Sequence, residues 1–149
     1  MEKEKLLVKE LSELIGVDVE LGSDATCDIA VEERVVVMRY RSDADDWLYF
    51  GIVAEPEGGP SKALLAKALE LNLFGAETQG LHMGLFGEAL ILSGCVAMDG
   101  LSAEALAERL LLLSRQMGKL AKKLEEVGAD GDSERETVPL PFDSGFMQV

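Results

Sequence analysis

Between Ala103 and Val127 the apolar residues Ala103, Leu106, Leu110, Leu113, Met117, Leu120, Leu124 and Val127 fall alternately three and four apart. That spacing keeps every member on one side of an α-helix. Leu111 and Leu112 widen the stripe beyond a bare coiled-coil seam, so the helix needs a broad apolar partner such as a sheet. Ser102 is placed to cap its first turn and Gly128 to end it. A helix of this length cannot bury its stripe alone, and the rest of the chain must supply the surface that covers it.

The preceding residues supply strands. Cys27, Ile29 and Val31 alternate with Thr26, Asp28 and Ala30, and Val35 to Tyr40 is rich in β-branched residues. Glu32-Glu33 predicts a tight turn between them. Trp47 to Ala54 places Leu48, Phe50 and Ile52 on one face and Trp47, Tyr49 and Val53 on the other. Both faces are apolar, which predicts packing on each side. Short connections predict an antiparallel meander. Leu81 to Phe86 and Leu90 to Val96 form a further pair, and Gly87-Glu88 fits a two-residue turn with glycine first.

Two more helices complete the order. Leu6, Leu7, Leu11, Leu14 and Ile15 make a stripe over Lys3 to Ile15, closed by Gly16. Val17, Val19 and Leu21 follow as a short extended lead-in. Leu64, Leu65, Ala68, Leu69 and Leu71 mark a helix that starts near Pro60 or Ser61 and stops at Asn72. The expected fold is α+β, a two-layer antiparallel sheet with helices in the order α-β-β-β-α-β-β-α. Residues 1–127 make one domain, and 128–149 a flexible acidic tail.

Charge narrows the partners. Asp and Glu outnumber Lys and Arg 28 to 14, giving a net charge of -14. Nucleic acid and anionic membrane surfaces would be repelled. No run approaches the roughly 20 apolar residues that span a bilayer, and the charged beginning lacks an apolar signal region, so a cytoplasmic location is expected. Cys27 and Cys95 sit in separate strand-like runs and are expected to be buried thiols.

The residues offer little to catalysis or metal binding. His82 is the only histidine, and no serine or cysteine nucleophile accompanies it in a recognisable motif. One histidine and two isolated cysteines lack zinc-ligand spacing. Counted from Asp43, the sixth and twelfth positions are Leu48 and Ala54, where a calcium loop needs glycine and glutamate. Gly58-Gly59-Pro60-Ser61-Lys62 has the wrong spacing for a phosphate loop, and its proline removes an amide. The expectation is a non-enzyme without cofactors. What remains is more apolar surface than one thin layer can bury, to be covered by a second copy or another partner.

Three segments in order resemble the class I type III secretion chaperones, the Tir-chaperone-like family. Leu64-Leu65-Ala66-Lys67-Ala68-Leu69-Glu70-Leu71-Asn72-Leu73-Phe74 is similar to that family's helix end, Gly84-Leu85-Phe86-Gly87-Glu88-Ala89-Leu90-Ile91-Leu92 to its hairpin, and Leu101-Ser102-Ala103-Glu104-Ala105-Leu106 to the start of its last helix. The resemblance spans Leu6 to about Val127 and implies a homodimer that holds an effector's N-terminal segment in extended form. Carried onto this sequence, it implies an effector-binding surface among Leu7, Val35, Val37, Phe50 and Ile52. It places the dimer interface at Leu65, Leu69, Leu73, Leu81, Met83 and Leu85. A second use of the same fold, sequestering an anti-activator of secretion genes, is equally compatible with the residues. A different class, an unrelated adaptor or a small enzyme using His82, would depend on that side chain.

Overall fold

The computed structural model describes residues 2–130. Helix α1 (Lys3–Ile15) ends at Gly16, whose positive φ of 73° lets its N–H return to the Ser12 carbonyl. Strands β1 (Thr26–Val31), β2 (Arg34–Arg41) and β3 (Asp46–Ala54) follow as antiparallel neighbours. Helix α2 (Lys62–Asn72) starts at Ser61, whose hydroxyl accepts the Leu64 N–H at 3.1 Å. Strands β4 (His82–Phe86) and β5 (Ala89–Ala97) form a hairpin, and the long helix α3 (Ala103–Asp130) closes the order. The expected α-β-β-β-α-β-β-α order is the observed one, and the strands make one five-stranded antiparallel sheet ordered β1-β2-β3-β5-β4.

Turn chemistry fixes the register. Glu32 and Glu33 both take positive φ, 49° and 68°, as the tight two-residue turn joining β1 to β2 requires. In the second hairpin Phe86 pairs with Ala89, and Gly87 alone supplies the positive φ, at 62°. Between β2 and β3, Asp45 accepts a hydrogen bond from the Tyr40 hydroxyl at 2.5 Å and pairs with Lys3 of α1 at 2.8 Å. Asp46 takes a bidentate pair from Arg41 at 2.8 and 2.7 Å. These two aspartates tie the loop to its strands and to α1.

One face of the sheet is covered. Ile29, Val36, Met38, Trp47, Tyr49, Leu90 and Leu92 are buried beneath the α3 stripe, of which Leu106, Leu110, Leu113, Met117, Leu120 and Leu124 are buried in turn. Helices α1 and α2 pack on α3 from either side. Gly94 is a point of close approach in the core: a Cβ there would lie 2.8 Å from the Tyr49 hydroxyl and from Leu81 Cδ2.

Three expectations need correction. Helix α3 continues through Gly128 to Asp130, because a single glycine inside a long packed helix costs only about 1 kcal/mol. The third strand is not packed on both sides: Trp47, Tyr49 and Val53 are buried, while Ile52 on the other face is exposed. Cys27 is buried but Cys95 is exposed, because it lies on that same outer face, opposite Leu48. The tail expected from 128 onward lies, past Asp130, outside the described residues.

Candidate functional site

The outer face of the sheet carries an apolar row with nothing of the described chain laid across it. Val35 is 59% exposed and Ile52 50%, with Val37 and Phe50 half-buried between them. Val37 and Phe50 face each other at the end of the β2–β3 ladder. Beyond that pair the two strands stop bonding, and a bulge at Val53 shifts the β3–β5 register. Bulges of this kind bend a strand and increase its local twist.

Where the strands part, a groove of about 420 Å³ opens, walled by Val35, Val37, Phe50 and Ile52 on one side. Met117, Gly118 and Ala121 of α3, with Gly51, form the rest, and Arg34 stands at its rim. Two glycines keep it open. A Cβ on Gly51 would come within 2.4 Å of the Met117 thioether, and one on Gly118 within 2.4 Å of the Arg34 guanidinium. Arg34 is steered by Ser114, whose hydroxyl lies 3.5 Å from its Nη1 and donates to the Val31 carbonyl at 2.7 Å. Its neighbour Glu32 is held instead by Arg115, at 3.0 Å, which keeps the Glu32 carboxyl below its usual range. Arg34 makes no ion pair among the described residues.

Four of the five residues expected to bind an effector thus converge on one groove. The fifth does not: Leu7 is 3% exposed and packs inside α1's interface with α3. The stripe on α1 fixes which residues share a face, and that face is the core one.

A second apolar surface lies at the other edge of the sheet. Leu69, Leu73 and Leu85 are exposed there, while Leu65 is half-buried. Leu81 and Met83, expected in the interface, are buried within the single chain. Met83 points under α2, and its backbone is held by Asn72 from both sides, N–H to Oδ1 at 2.8 Å and Nδ2–H to the carbonyl at 2.9 Å. Sequence reasoning missed two larger members of this surface, Phe74 at 87% and Phe86 at 75% exposure. The signal was present in Gly75 and Gly87, because an aromatic residue before a glycine turn has little structure left to cover it.

His82 is exposed on edge strand β4, where it pairs with Ser93 of β5 and its carbonyl also accepts the Ser93 hydroxyl at 3.4 Å. Burial first, then the neighbouring Asp28, push the Cys27 thiol up to about 11, which removes its nucleophilic form at neutral pH. Among the described residues no group of His, Cys, Asp and Glu is placed to hold a metal ion, and no helix is long and apolar enough to cross a membrane.

An antiparallel sheet covered by helices on one face, with apolar surfaces left open on its other face and at one edge, defines a small two-layer α+β protein with surface free for a partner. The sequence says which family of that class it is. The chain belongs to the Tir chaperone protein (CesT) family, whose pattern matches residues 6–121. Its fold is similar to that of the HopA1–SchA chaperone–effector complex, at TM-score 0.64 and 18% identity, over 80% of this chain and 94% of the other. It is similar to the ExsC–ExsE complex at TM-score 0.68 and 15% identity, over 81% and 92%. It also matches the Yersinia pestis type III secretion chaperone SycH, in complex with a fragment of YscM2, at TM-score 0.61 and 18% identity, over 78% and 98%. At these identities the likeness establishes the fold. No functionally curated protein matches the chain by sequence.

Proposed function

We propose that the protein is a cytoplasmic, homodimeric type III secretion chaperone that binds the N-terminal segment of an effector as an extended chain and keeps it competent for export. The groove between β2, β3 and α3 carries this reading. An extended segment presents alternate side chains to such a surface, and each large aliphatic side chain it buries contributes about 1.5–3 kcal/mol. The protein does this without catalysis and without a cofactor. The net charge of -14 keeps the dimer soluble while its apolar surface waits for a client. The second copy covers Leu69, Leu73, Phe74, Leu85 and Phe86, which no part of the described chain shields.

Co-expression with a secretion substrate encoded beside it tests the proposal. A soluble complex of two chaperone chains with one client chain is the expected product. Recovery of both proteins separately, with the client no more soluble than when expressed alone, would refute it.

A further inference from the structure

The groove has a polar feature that its apolar walls do not explain. Arg34 opens β2 and shares the alternation of Val36 and Met38, so its side chain points toward α3. The half-buried guanidinium lies against the helix backbone at Gly118, where an added Cβ would meet Arg34 Cζ at 2.8 Å. Ser114 sets its orientation. The Ser114 hydroxyl gives its proton to the Val31 carbonyl and accepts from Arg34 Nη1, 3.5 Å away. That is the one hydrogen bond the guanidinium makes among the described residues, and a guanidinium carries five N–H donors.

No carboxylate of the described chain neutralises it. Glu32, two residues earlier on the turn, is committed to Arg115 at 3.0 and 3.4 Å. Glu33, between them, is exposed and joins no ion pair among the described residues. A half-buried cation without a counter-ion carries a desolvation penalty that a hydrogen-bonded anion removes. The chain as a whole is acidic, 28 Asp and Glu against 14 Lys and Arg. A client carboxylate is therefore repelled by the protein at long range and favoured at this end of the groove.

The walls supply the rest of the pattern. Val35 and Ile52 are exposed, Val37 and Phe50 half-buried. The Met117 thioether beside them is flexible and polarizable, and it adapts to aliphatic and aromatic side chains alike. The apolar part thus accepts many sequences and discriminates weakly among them. A cation fixed at one end discriminates between registers, because electrostatic complementarity contributes specificity more than affinity. Side chains on one face of an extended segment recur about every 6–7 Å, which puts the partner of Arg34 about two residues from the nearest apolar anchor.

We infer that Arg34 is a specificity-determining residue: the client segment that fills the β2–β3–α3 groove carries an Asp or Glu about two residues from its apolar anchors, and that carboxylate pairs with the Arg34 guanidinium and sets the register. The inference rests on the proposed function and deepens it by naming the chemistry of the segment.

Selection from a phage-displayed library of short random peptides tests it, with the full-length parent, Arg34→Glu and Arg34→Lys as baits. Peptides retained by the parent should combine alternating apolar residues with an Asp or Glu at a constant offset. Arg34→Glu should retain the same apolar pattern with Lys or Arg at that offset, an exchange that a merely structural role does not produce. Arg34→Lys keeps the charge and loses the bidentate geometry, so its acidic preference should persist in weaker form. Fluorescence anisotropy then compares the best parent-selected peptide with its aspartate-to-asparagine analogue. The parent should bind the analogue about three- to tenfold more weakly, with the gap shrinking at high salt, and Arg34→Glu should show no such loss. Apolar peptides without acidic enrichment would overturn the inference and leave the proposed function standing. So would an acidic preference that survives in Arg34→Glu. Growth of the parent beyond a dimer, reversed by Ile52→Asp, would assign the groove to a further copy and overturn the inference as well. Retention of no peptide by any of the three folded proteins would overturn the proposed function together with it.

Discussion

Asn72 and Met83 join the end of α2 to the outer edge of the sheet through two reciprocal hydrogen bonds, 2.8 and 2.9 Å long. Met83 belongs to β4, an edge strand, and its backbone groups there face away from β5. An unpaired strand edge is a template for unwanted pairing. At this position a side-chain amide closes it, doing for one residue what a neighbouring strand would do.

Asn72→Ala should therefore lower stability by about 1–3 kcal/mol, the loss of two partly buried hydrogen bonds. Asn72→Asp should cost more, because it turns the donor facing the Met83 carbonyl into an anion. Urea unfolding monitored by far-UV circular dichroism checks both, and an unchanged midpoint for Asn72→Ala would show that water replaces the amide at no cost.

Dimerisation should fail without unfolding when a charge is placed on the exposed side of the α2–β4 surface. Leu85→Glu and Phe74→Glu change residues that the single chain leaves 55% and 87% exposed, so monomer stability should shift by no more than about 0.5 kcal/mol. Light scattering should give a dimer for the parent and a monomer for either variant at micromolar concentration. Met83→Glu is a poorer probe, since Met83 is only 7% exposed and a charge there attacks the fold itself.

Gly94→Ala should destabilise by about 1–3 kcal/mol through overpacking. The new methyl would sit against the rigid Tyr49 ring, with Cε2 at 2.9 Å. Gly118→Ala meets only the far end of Arg34, so its effect should appear in the groove and not in the melting temperature. Differential scanning calorimetry separates the two.

Acid should weaken the β2–β3 loop in a defined direction. The hydrogen bond from Arg41 holds Asp46 below its ordinary value of 3.8, and pairing with Lys3, then the Tyr40 hydroxyl, lowers Asp45 in the same way. A depressed folded-state value gives stability that is fully present above the unfolded pKa and is lost as pH falls through the folded one. Asp46→Asn should thus be less stable than the parent near neutrality, and the gap should close in strong acid. A gap that persists below the ordinary carboxylate range would mean that the pair contributes through packing, not charge. The Tyr40 hydroxyl, pushed up to about 12 chiefly by its hydrogen bond to Asp45, should stay protonated through the alkaline range in which free tyrosine ionises.

The element order was legible because each element carries its own period: three-four spacing in α1 and α3, alternation in β1, and glycine or paired glutamates at the turns. Which face of each element is covered was not. Leu7 and Leu11 share the α1 stripe, and nothing in the spacing says that α3 seals it. Leu81 and Met83 look like an exposed alternating strand until Asn72, eleven residues from Met83, pulls that strand beneath α2. Val35, Val37, Phe50 and Ile52 were nameable as a set. That they open into a groove depends on the β2–β3 ladder ending at Val37 and Phe50 and on Met117 reaching across Gly51. Those facts belong to tertiary structure and leave no local mark in the sequence.

In the proposed function, the open apolar row on β2 and β3 holds the client. Isothermal titration of the client's N-terminal segment into the parent and into Ile52→Asp decides it. Ile52 is half exposed, so the variant should keep the parent's melting temperature and dimeric state while losing at least tenfold in affinity, the about 1.4 kcal/mol that one unburied aliphatic contact represents. Equal affinity in the two proteins, with both folded and dimeric, would place the client elsewhere and contradict the account.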